Sequence, residues 1–245
     1  MLTITDLGKT FSGGVTALSN INMRLAEGEF VSLLGPSGCG KSTLLRIVAG
    51  LSAPSSGQME WTRPPARGGI GVVFQEPTLM PWANARKNVE APLRIAGVAA
   101  RERHARAMEM LALVGLESFA DAYPRTLSGG MKMRVAIARA LVTSPPVLLL
   151  DEPFAALDEI TRQQLNDDLL DICSKAKLTV LFVTHSAAEA VYLSGRVLMM
   201  CARPGTILRE TRINAPVLRA DGFRHSPQFA AYCGEVSAAL REAIA

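Results

Sequence analysis

The sequence predicts an α/β fold in which helices flank a parallel sheet, with an N-terminal antiparallel β group and an inserted α-helical subdomain. Short runs that are apolar at every position recur along the chain, as in parallel strands that are covered on both faces. Helical patterns lie between several of these runs, which is the βαβ rhythm of a doubly wound fold. Residues 86–144 break the rhythm, because they carry helical patterns with no strand between them.

The strands are predicted from their composition and from the turn residues that bound them. The N-terminal antiparallel group is predicted from LTITDL, INMRL and GQMEW. The parallel strands are predicted at FVSLLG (30–35), IGVVFQ (70–75), VLLLDE (147–152), TVLFVTH (179–185) and RVLMMC (196–201). Runs of β-branched and aliphatic residues of this length are typical of buried strands.

Two helices are predicted beside these strands. STLLRIVAG ends at Gly50, a residue type that commonly follows the last turn of a helix. ITRQQLNDDLLDICSKA, which begins at residue 160, is also predicted to be a helix, with one buried stripe formed by Ile160, Leu165, Leu169 and Ile172.

Two further helices are predicted in the inserted subdomain. RERHARAMEMLALVGL places Glu102 and Arg106 one helical turn apart and ends at Gly115. GMKMRVAIARALVTSPP is predicted to be closed by Pro145 and Pro146, which cannot continue a helix.

The chain is therefore expected to form a single domain with three parts. We assign residues 1–85 and 145–213 to a core and residues 86–144 to the helical subdomain. Residues 214–245 are assigned to a tail that is loop followed by a modest helix near residues 229–243.

Charge and cysteine content exclude several classes of protein. Lys and Arg number 26 against 22 Asp and Glu, and the net charge of +4 is spread along the chain without a basic block typical of a nucleic-acid arm. Cys39, Cys173, Cys201 and Cys233 lie too far apart for a zinc framework, and disulfides are not expected. The N-terminus has no signal-peptide pattern and no window is apolar enough for a membrane span, so we expect a cytosolic chain.

The stretch LLGPSGCGKSTLL matches the phosphate-binding pattern G-x-x-x-x-G-K-[ST], after a predicted strand and before a predicted helix. Backbone N–H groups and the positive end of the helix would bind phosphate, and a Cβ at Gly38 or Gly40 would obstruct its approach. Lys41 is predicted to neutralise the β- and γ-phosphates and Ser42 to ligate Mg²⁺. The predicted nucleotide-binding residues are Gly35, Pro36, Ser37, Gly38, Cys39, Gly40, Lys41, Ser42 and Thr43.

This pattern predicts a P-loop NTPase core of the RecA-like type, the alternative being a chance glycine turn before a helix.

Cys39 lies next to the predicted helix N-terminus, which lowers the pKa of a thiol. We therefore expect alkylation of Cys39 to inactivate the protein and bound ATP to protect it.

VLLLDE ends a buried apolar strand with two carboxylates, which is costly unless they face solvent or a cation. Asp151 is predicted to be a Mg²⁺ ligand and Glu152 the base that polarises the attacking water. The alternative is a hydrated pair of acids at the end of a strand.

The segment LSGGMKMRVAIARAL, residues 127–141, directly precedes that strand, and with it the chain resembles the ATP-binding-cassette (ABC) ATPases. Ser128 is a good helix N-cap, and Gly129 and Gly130 leave the first N–H groups bare, so the helix start is itself an anion site. The resemblance implies that Ser128, Gly129 and Gly130 close on the γ-phosphate held by a second copy. A homodimer that sandwiches two ATP molecules is therefore expected.

Four further positions carry roles that the resemblance implies. Gln75 resembles the glutamine that senses the γ-phosphate through Mg²⁺ or water, and His185 resembles the histidine that contacts the γ-phosphate and the catalytic water. Asp158 ends AALD, which is similar to a loop that crosses the dimer interface. Phe11 matches an aromatic residue that stacks on adenine, although a Phe that ends a strand is more often part of the core.

Longer phrases resemble the importer ATPases for nitrate, aliphatic sulfonates and taurine: QEPTLMPWANARKNV, LSGGM, EPFAALDEITR and CARPG. The resemblance implies two transmembrane permease subunits as partners, a solute-binding protein that acts indirectly, and a peripheral position on the cytoplasmic face of the inner membrane. No nucleic-acid partner is expected. The apolar cluster Leu79–Trp82 is predicted to bind the permease. The alternative is that Trp82 packs on the helical subdomain.

Other functions are open to a chain with these motifs. The chain could serve an importer of another small solute, or be a soluble ABC ATPase that acts on nucleic acid or ribosomes. A small-molecule kinase on a P-loop core is a further alternative, but its lid would lack LSGG. A cassette that binds ATP without hydrolysing it is disfavoured by the presence of both Glu152 and His185.

Overall fold

The computed structural model describes residues 1–66, 68–216, 219 and 222–244. These residues form two compact units, one made of Met1–Pro64 with Lys177–Ala245 and the other of Pro65–Ala176. The part of the tail at residues 217, 218, 220 and 221 lies outside the described residues. The predicted boundaries between core, helical subdomain and tail remain a prediction.

The structure has the mixed α/β architecture that the sequence predicts, and it adds two helices, Ala85–Ile95 and Ala187–Leu193, and one strand, Thr206–Arg212, that were not predicted. In chain order they are β1 (Leu2–Thr10), β2 (Thr16–Leu25), β3 (Phe30–Leu34), α1 (Lys41–Val48), β4 (Ser56–Trp61), β5 (Ile70–Val73), α2 (Ala85–Ile95), α3 (Ala100–Leu113), α4 (Gly129–Leu141), β6 (Val147–Asp151), α5 (Glu159–Lys175), β7 (Thr179–Thr184), α6 (Ala187–Leu193), β8 (Arg196–Cys201), β9 (Thr206–Arg212) and α7 (Pro227–Ile244).

The first unit contains both kinds of sheet that were predicted. Strands β2, β1 and β4 pair antiparallel in that order, with Leu2 opposite both Leu25 and Trp61. Strand β3 lies between β7 and β8 and runs parallel to both, and β9 pairs antiparallel with β8. Every residue of β7 is buried, so the interpretation of its continuous apolar run as a covered strand is confirmed.

The second unit combines the parallel pair β5 and β6 with helices α2 to α5. The predicted pair on α3 forms, with 2.6 Å between Arg106 Nη2 and Glu102 Oε1. Gly115 follows the helix with a φ of 70°, which is the left-handed conformation expected of a residue that ends a helix. Gly50 takes the same role after α1, with a φ of 72°.

Two details of the predicted helices are wrong. Ile160 is 73% exposed, whereas Leu165, Leu169 and Ile172 are buried. Because each residue of a helix turns by about 100°, Ile160 lies about 140° from Leu165 around the axis and leaves the stripe. Helix α4 ends at Leu141, before the prolines that were expected to close it.

The C-terminal helix α7 is longer than predicted and packs within the first unit, against α6 and β8. Its Val236, Ala239 and Ala243 join a buried cluster with Val191 of α6 and Met199 of β8. Within the described part of the chain, none of the helices combines the length and the apolar character that crossing a bilayer requires.

Candidate nucleotide site

The predicted site residues are distributed over both units. The glycine-rich loop, Phe11 and His185 belong to the first unit, and Gln75, Asp151, Glu152, Asp158 and the segment Ser128–Gly130 belong to the second.

The glycine-rich loop joins the end of β3 to the start of α1, as predicted. Gly38 and Gly40 have φ angles of 78° and 95°, a region that side chains with a Cβ rarely adopt. A Cβ at Gly40 would lie 2.6 Å from Leu18 Cδ2, and one at Gly35 would lie 2.5 Å from the Met200 carbonyl oxygen. Gly35 and Gly40 are therefore required by close packing on β8 and β2, in addition to the expected need to leave room for phosphate.

The start of α1 presents backbone donors. The first intrahelical bond runs from the Leu44 N–H to the Gly40 carbonyl, at 2.9 Å, so the N–H groups of Lys41, Ser42 and Thr43 precede it. The Gly40 position has no side chain that could cap them. Backbone N–H groups at the positive end of a helix fit a phosphate group.

Lys41 brings a positive charge to the same loop. The side chain is buried, and Nζ donates to the carbonyl oxygens of Gly35 at 2.8 Å and Pro36 at 3.0 Å. The ammonium group is thus held by the loop that would bind the phosphates. A glycine-rich turn, the N–H groups of a helix start and a positioned lysine together meet the chemical needs of a polyphosphate.

The prediction that the helix N-terminus lowers the pKa of the Cys39 thiol is wrong. Cys39 is 1% exposed, and burial raises its pKa, although the charge of Lys41 and hydrogen bonds from backbone N–H groups work in the opposite direction. Desolvation penalises the thiolate by more than the helix N-terminus favours it. Cys39 is consequently a packed side chain under the loop, and we no longer expect it to be a reactive thiol.

We expect native Cys39 to react with iodoacetamide at least about tenfold more slowly than the same thiol in the unfolded chain, because only the exposed thiolate reacts. Its labelling rate should still rise above a pH of about 8.5, where an ordinary thiol is half ionised. Mass spectrometry of the Cys39 peptide after timed labelling measures both quantities. Labelling of native Cys39 at the unfolded rate would contradict its burial.

Gly205 supports the loop from a distant part of the sequence. A Cβ at Gly205 would lie 2.1 Å from the Cys39 carbonyl oxygen, and the Gly205 N–H donates to the Ala17 carbonyl at 3.0 Å. Sequence reasoning used CARPG only as a resemblance and missed this packing role. The one indication was a glycine that follows the last parallel strand.

His185 follows β7 at a turn that buried polar groups fix. The Thr184 hydroxyl hydrogen-bonds the buried Glu189 carboxylate and accepts from the Ser186 N–H at 3.0 Å. Ser186 caps α6 by accepting from the Glu189 N–H at 3.3 Å. The backbone that carries His185 is therefore tightly held, and the imidazole is exposed.

Phe11 follows β1 and is 47% exposed. Lys9 Nζ lies 5.4 Å from the centre of its ring. Its exposure is inconsistent with the alternative that Phe11 is a core residue, and an exposed ring beside a cation can stack on a planar base.

In the second unit, the two predicted carboxylates differ in burial. Asp151 ends β6 and is buried, and Glu152 follows with a φ of 46°. A left-handed conformation costs a non-glycine residue about 1–2 kcal/mol, and such strain concentrates at functional sites. Gln75 lies two residues beyond the end of β5 and is exposed.

Ser128 caps α4, as predicted. Its Oγ accepts from the Met131 N–H at 3.2 Å, and the first intrahelical bond runs from the Lys132 N–H to the Ser128 carbonyl at 2.9 Å. The N–H groups of Gly129 and Gly130 precede that bond. A Cβ at Gly130 would lie 2.8 Å from Thr161 Cγ2, so packing against α5 requires this glycine.

Asp158 takes a structural part that was not predicted. Its carboxylate caps α5 by accepting from the Thr161 N–H at 3.0 Å, and this hydrogen bond lowers the pKa of the carboxyl group. Among the described residues, no group of three or more His, Cys, Asp or Glu side chains could hold a metal ion by itself. Mg²⁺ commonly needs only one or two protein ligands in addition to phosphate oxygens and water.

Comparison with known proteins assigns these features to one family. Residues 18–155 match the model of the ABC transporter family. The chain is 46% identical to the nitrate import ATP-binding protein NrtD of Synechocystis sp., over 98% of this chain and 95% of that protein. It is 50% identical to the aliphatic sulfonates import ATP-binding protein SsuB 1 of Pseudomonas syringae, over 82% of this chain and 81% of that protein.

A solved structure has the same fold. It is the dimeric structure of a post-hydrolysis state of an ATP-binding cassette bound to ADP and Pi. The TM-score is 0.79 and the identity 36%, over 88% of this chain and 100% of that chain.

Proposed function

Because this chain belongs to the ABC transporter family, we propose that it is the ATP-hydrolysing subunit of an importer for nitrate, an aliphatic sulfonate or taurine. The observation that carries the proposal is the loop before α1, in which the N–H groups of the helix start and the Lys41 ammonium lie together. The import proteins named above, which align with most of the chain, support the solute class.

ATP is proposed to bind through the loop Gly35–Thr43, with Phe11 stacked on adenine. The N–H groups at the start of α1 and Lys41 would bind the phosphates. Mg²⁺ would be held by Ser42, Asp151 and Gln75, and when bound it offsets negative charge on the phosphate oxygens. All three residue types offer the oxygen ligands that Mg²⁺ prefers.

Hydrolysis is proposed to depend on Glu152 and His185. Glu152 would accept a hydrogen bond from the attacking water and take its proton, and His185 would contact the γ-phosphate and that water. The held turn beside His185 and the strained backbone of Glu152 support these roles, because each fixes where the side chain begins.

The active form is proposed to be a homodimer. The N–H groups at the start of α4 and the exposed Ser128 offer a second anion site, which would bind the γ-phosphate held by the other copy. Asp158, in an exposed loop end before α5, would lie at the dimer interface. The dimeric state of the solved cassette supports this assembly.

The chain is proposed to lie at the cytoplasmic face of the inner membrane. There it would bind two permease subunits, which receive solute from a binding protein. Trp82 is 77% exposed, so it is not packed on its own subdomain and is available to a partner. A large exposed tryptophan is costly in water and typical of the centre of a protein interface. No observation favours a nucleic-acid or ribosome function, or transfer of phosphate to a small molecule.

The experiment that tests this function measures ATP turnover in the complex purified through a tag on this chain. We expect nitrate, taurine or an alkanesulfonate, presented with the binding protein, to stimulate turnover. Trp82→Ala should lower the stimulated rate by about tenfold or more, since loss of an interface anchor costs about 2 kcal/mol, while the rate of the isolated chain stays unchanged.

Leu51→Ala is the matched control, because Leu51 is also an exposed apolar side chain, at 62%, but belongs to the other unit. It should leave both rates unchanged. Full solute stimulation in Trp82→Ala would refute the proposed docking surface, and ATP turnover that no solute of this class alters would refute the solute assignment.

A further inference from the structure

The segment that carries Trp82 is anchored to α4 by one half-buried arginine, Arg139. Arg139, in the last turn of that helix, donates from Nη2 to the Pro77 carbonyl at 2.8 Å and to Thr78 Oγ1 at 3.2 Å, and from Nη1 to the Thr78 carbonyl at 2.9 Å. Partial burial lowers the pKa of the guanidinium group, because desolvation penalises its charged form. A planar group that binds two successive carbonyls fixes both their position and their orientation.

The anchored backbone has an unusual conformation. Thr78 has a φ of 45°, which is the left-handed region that a threonine rarely adopts. Such a conformation persists only where the surroundings enforce it. Two hydrogen bonds from Arg139 hold this residue, because they engage both its carbonyl and its hydroxyl group.

The other end of the segment is held by Asn88 of α2. Its Oδ1 accepts from the Met80 N–H at 2.7 Å, and its Nδ2 donates to the carbonyls of Met80, Ala83 and Asn84 at 3.2, 2.9 and 3.0 Å. Trp82 therefore projects from a turn that is closed around one buried amide. The turn is stiff, and the link between it and α4 is Pro77–Thr78.

We infer that Arg139 is a positioning residue that makes the segment Pro77–Trp82 move together with α4. Ser128 lies at one end of α4 and Arg139 near the other, so a displacement of the anion-binding helix start would be carried along a rigid helix of 13 residues to the segment that bears Trp82. This inference rests on the proposed function of the two ends. We call the link between the segment Pro77–Trp82 and α4 the tie. It depends only on the hydrogen bonds of Arg139.

Arg134 provides the matched comparison, because it is an arginine of the same helix with different partners. Its Nη1 lies 2.6 Å from Asp168 Oδ2 and donates to the Val114 carbonyl at 3.0 Å. Arg134 thus links α4 to α5 and to the end of α3, and has no hydrogen bond to Pro77 or Thr78. Replacing either arginine by lysine keeps the charge and removes the forked geometry.

The tie is tested by the motion of Trp82 in the isolated full-length chain. The chain has 2 tryptophans, so Trp61→Phe leaves Trp82 as the only one. In that background we expect Arg139→Lys to lower the residual anisotropy of Trp82 fluorescence on the nanosecond scale, and Arg134→Lys to leave it unchanged.

The coupling is tested in the purified complex with its permease. Arg139→Lys should lower the ratio of solute-stimulated to basal ATP turnover by about fivefold or more, the lower range for coupling between sites, and Arg134→Lys should not. Thr78→Gly is the second test variant if Arg139→Lys does not fold. Glycine accepts a positive φ without strain, and it removes the hydroxyl group that accepts a hydrogen bond from Arg139. It should change both readouts in the same direction.

Unchanged Trp82 anisotropy in Arg139→Lys and Thr78→Gly would show that no tie exists. Lower anisotropy with an unchanged turnover ratio would show that the tie carries no coupling, and either result overturns the inference. If no solute stimulates even the unaltered complex, the proposed solute class or docking surface fails instead, and the anisotropy alone decides whether the tie exists.

Discussion

Glu152→Gln is expected to lower ATP turnover by about 10²–10⁴-fold, the range that a positioned general base contributes, while ATP still binds. The amide keeps the size of the side chain and cannot accept the proton of the attacking water. The measurement is phosphate release at saturating ATP, together with a nucleotide titration that verifies binding. Since ATP is no longer consumed, the variant should also hold the dimer in its ATP-bound form.

Glu159→Gln is the control for this substitution, because Glu159 is a nearby carboxylate on α5 that interacts with Gln163 and Arg162 of its own helix. It should keep turnover within about twofold, as expected of a surface change away from the site. Unaltered turnover in Glu152→Gln would remove Glu152 from the mechanism.

Lys41→Ala is expected to weaken ATP binding by about 10- to 100-fold, which corresponds to about 1.5–3 kcal/mol for hydrogen bonds to a charged group. The ammonium lies within the loop, hydrogen-bonded to the Gly35 and Pro36 carbonyls, and its loss removes a positive charge from the proposed phosphate site. Isothermal titration with ATP measures the effect, and turnover should fall with it.

Lys175→Ala is the matched control, because Lys175 is an exposed lysine that pairs with Asp171 on the last turn of α5. Its ATP affinity should equal that of the unaltered chain. A thermal unfolding curve of Lys41→Ala separates lost binding from lost folding, and full ATP affinity in a folded Lys41→Ala would contradict the assignment of the loop as the phosphate site.

The fold was predictable because its strands and turns carry local information. The apolar run of β7, the glycine after α1 and the serine before α4 each act within a few residues, so their roles follow from spacing and residue type. The position of Gly40 and Lys41 in the chain was predictable for the same reason. The motif places them a few residues after a strand and at the start of a helix.

Effects that come from distant segments were not predictable. Burial of Cys39 depends on a loop near Gly205, more than 160 residues later in the chain, and this burial reverses the effect expected from the helix N-terminus. The target of Arg139 and the buried amide of Asn88 likewise depend on tertiary packing. Ile160 was misplaced for a local reason, because its spacing from Leu165 does not match the helical period.

The central claim is that each nucleotide site is completed by the start of α4 from a second copy. It is tested most directly by a crystal structure of the Glu152→Gln chain grown with ATP and Mg²⁺. We predict that the γ-phosphate bound at one copy's Lys41 lies within hydrogen-bonding distance of Ser128 Oγ and the Gly130 N–H of the other copy. A structure in which Ser128 and Gly130 are remote from every γ-phosphate, including that of a second copy, would contradict it.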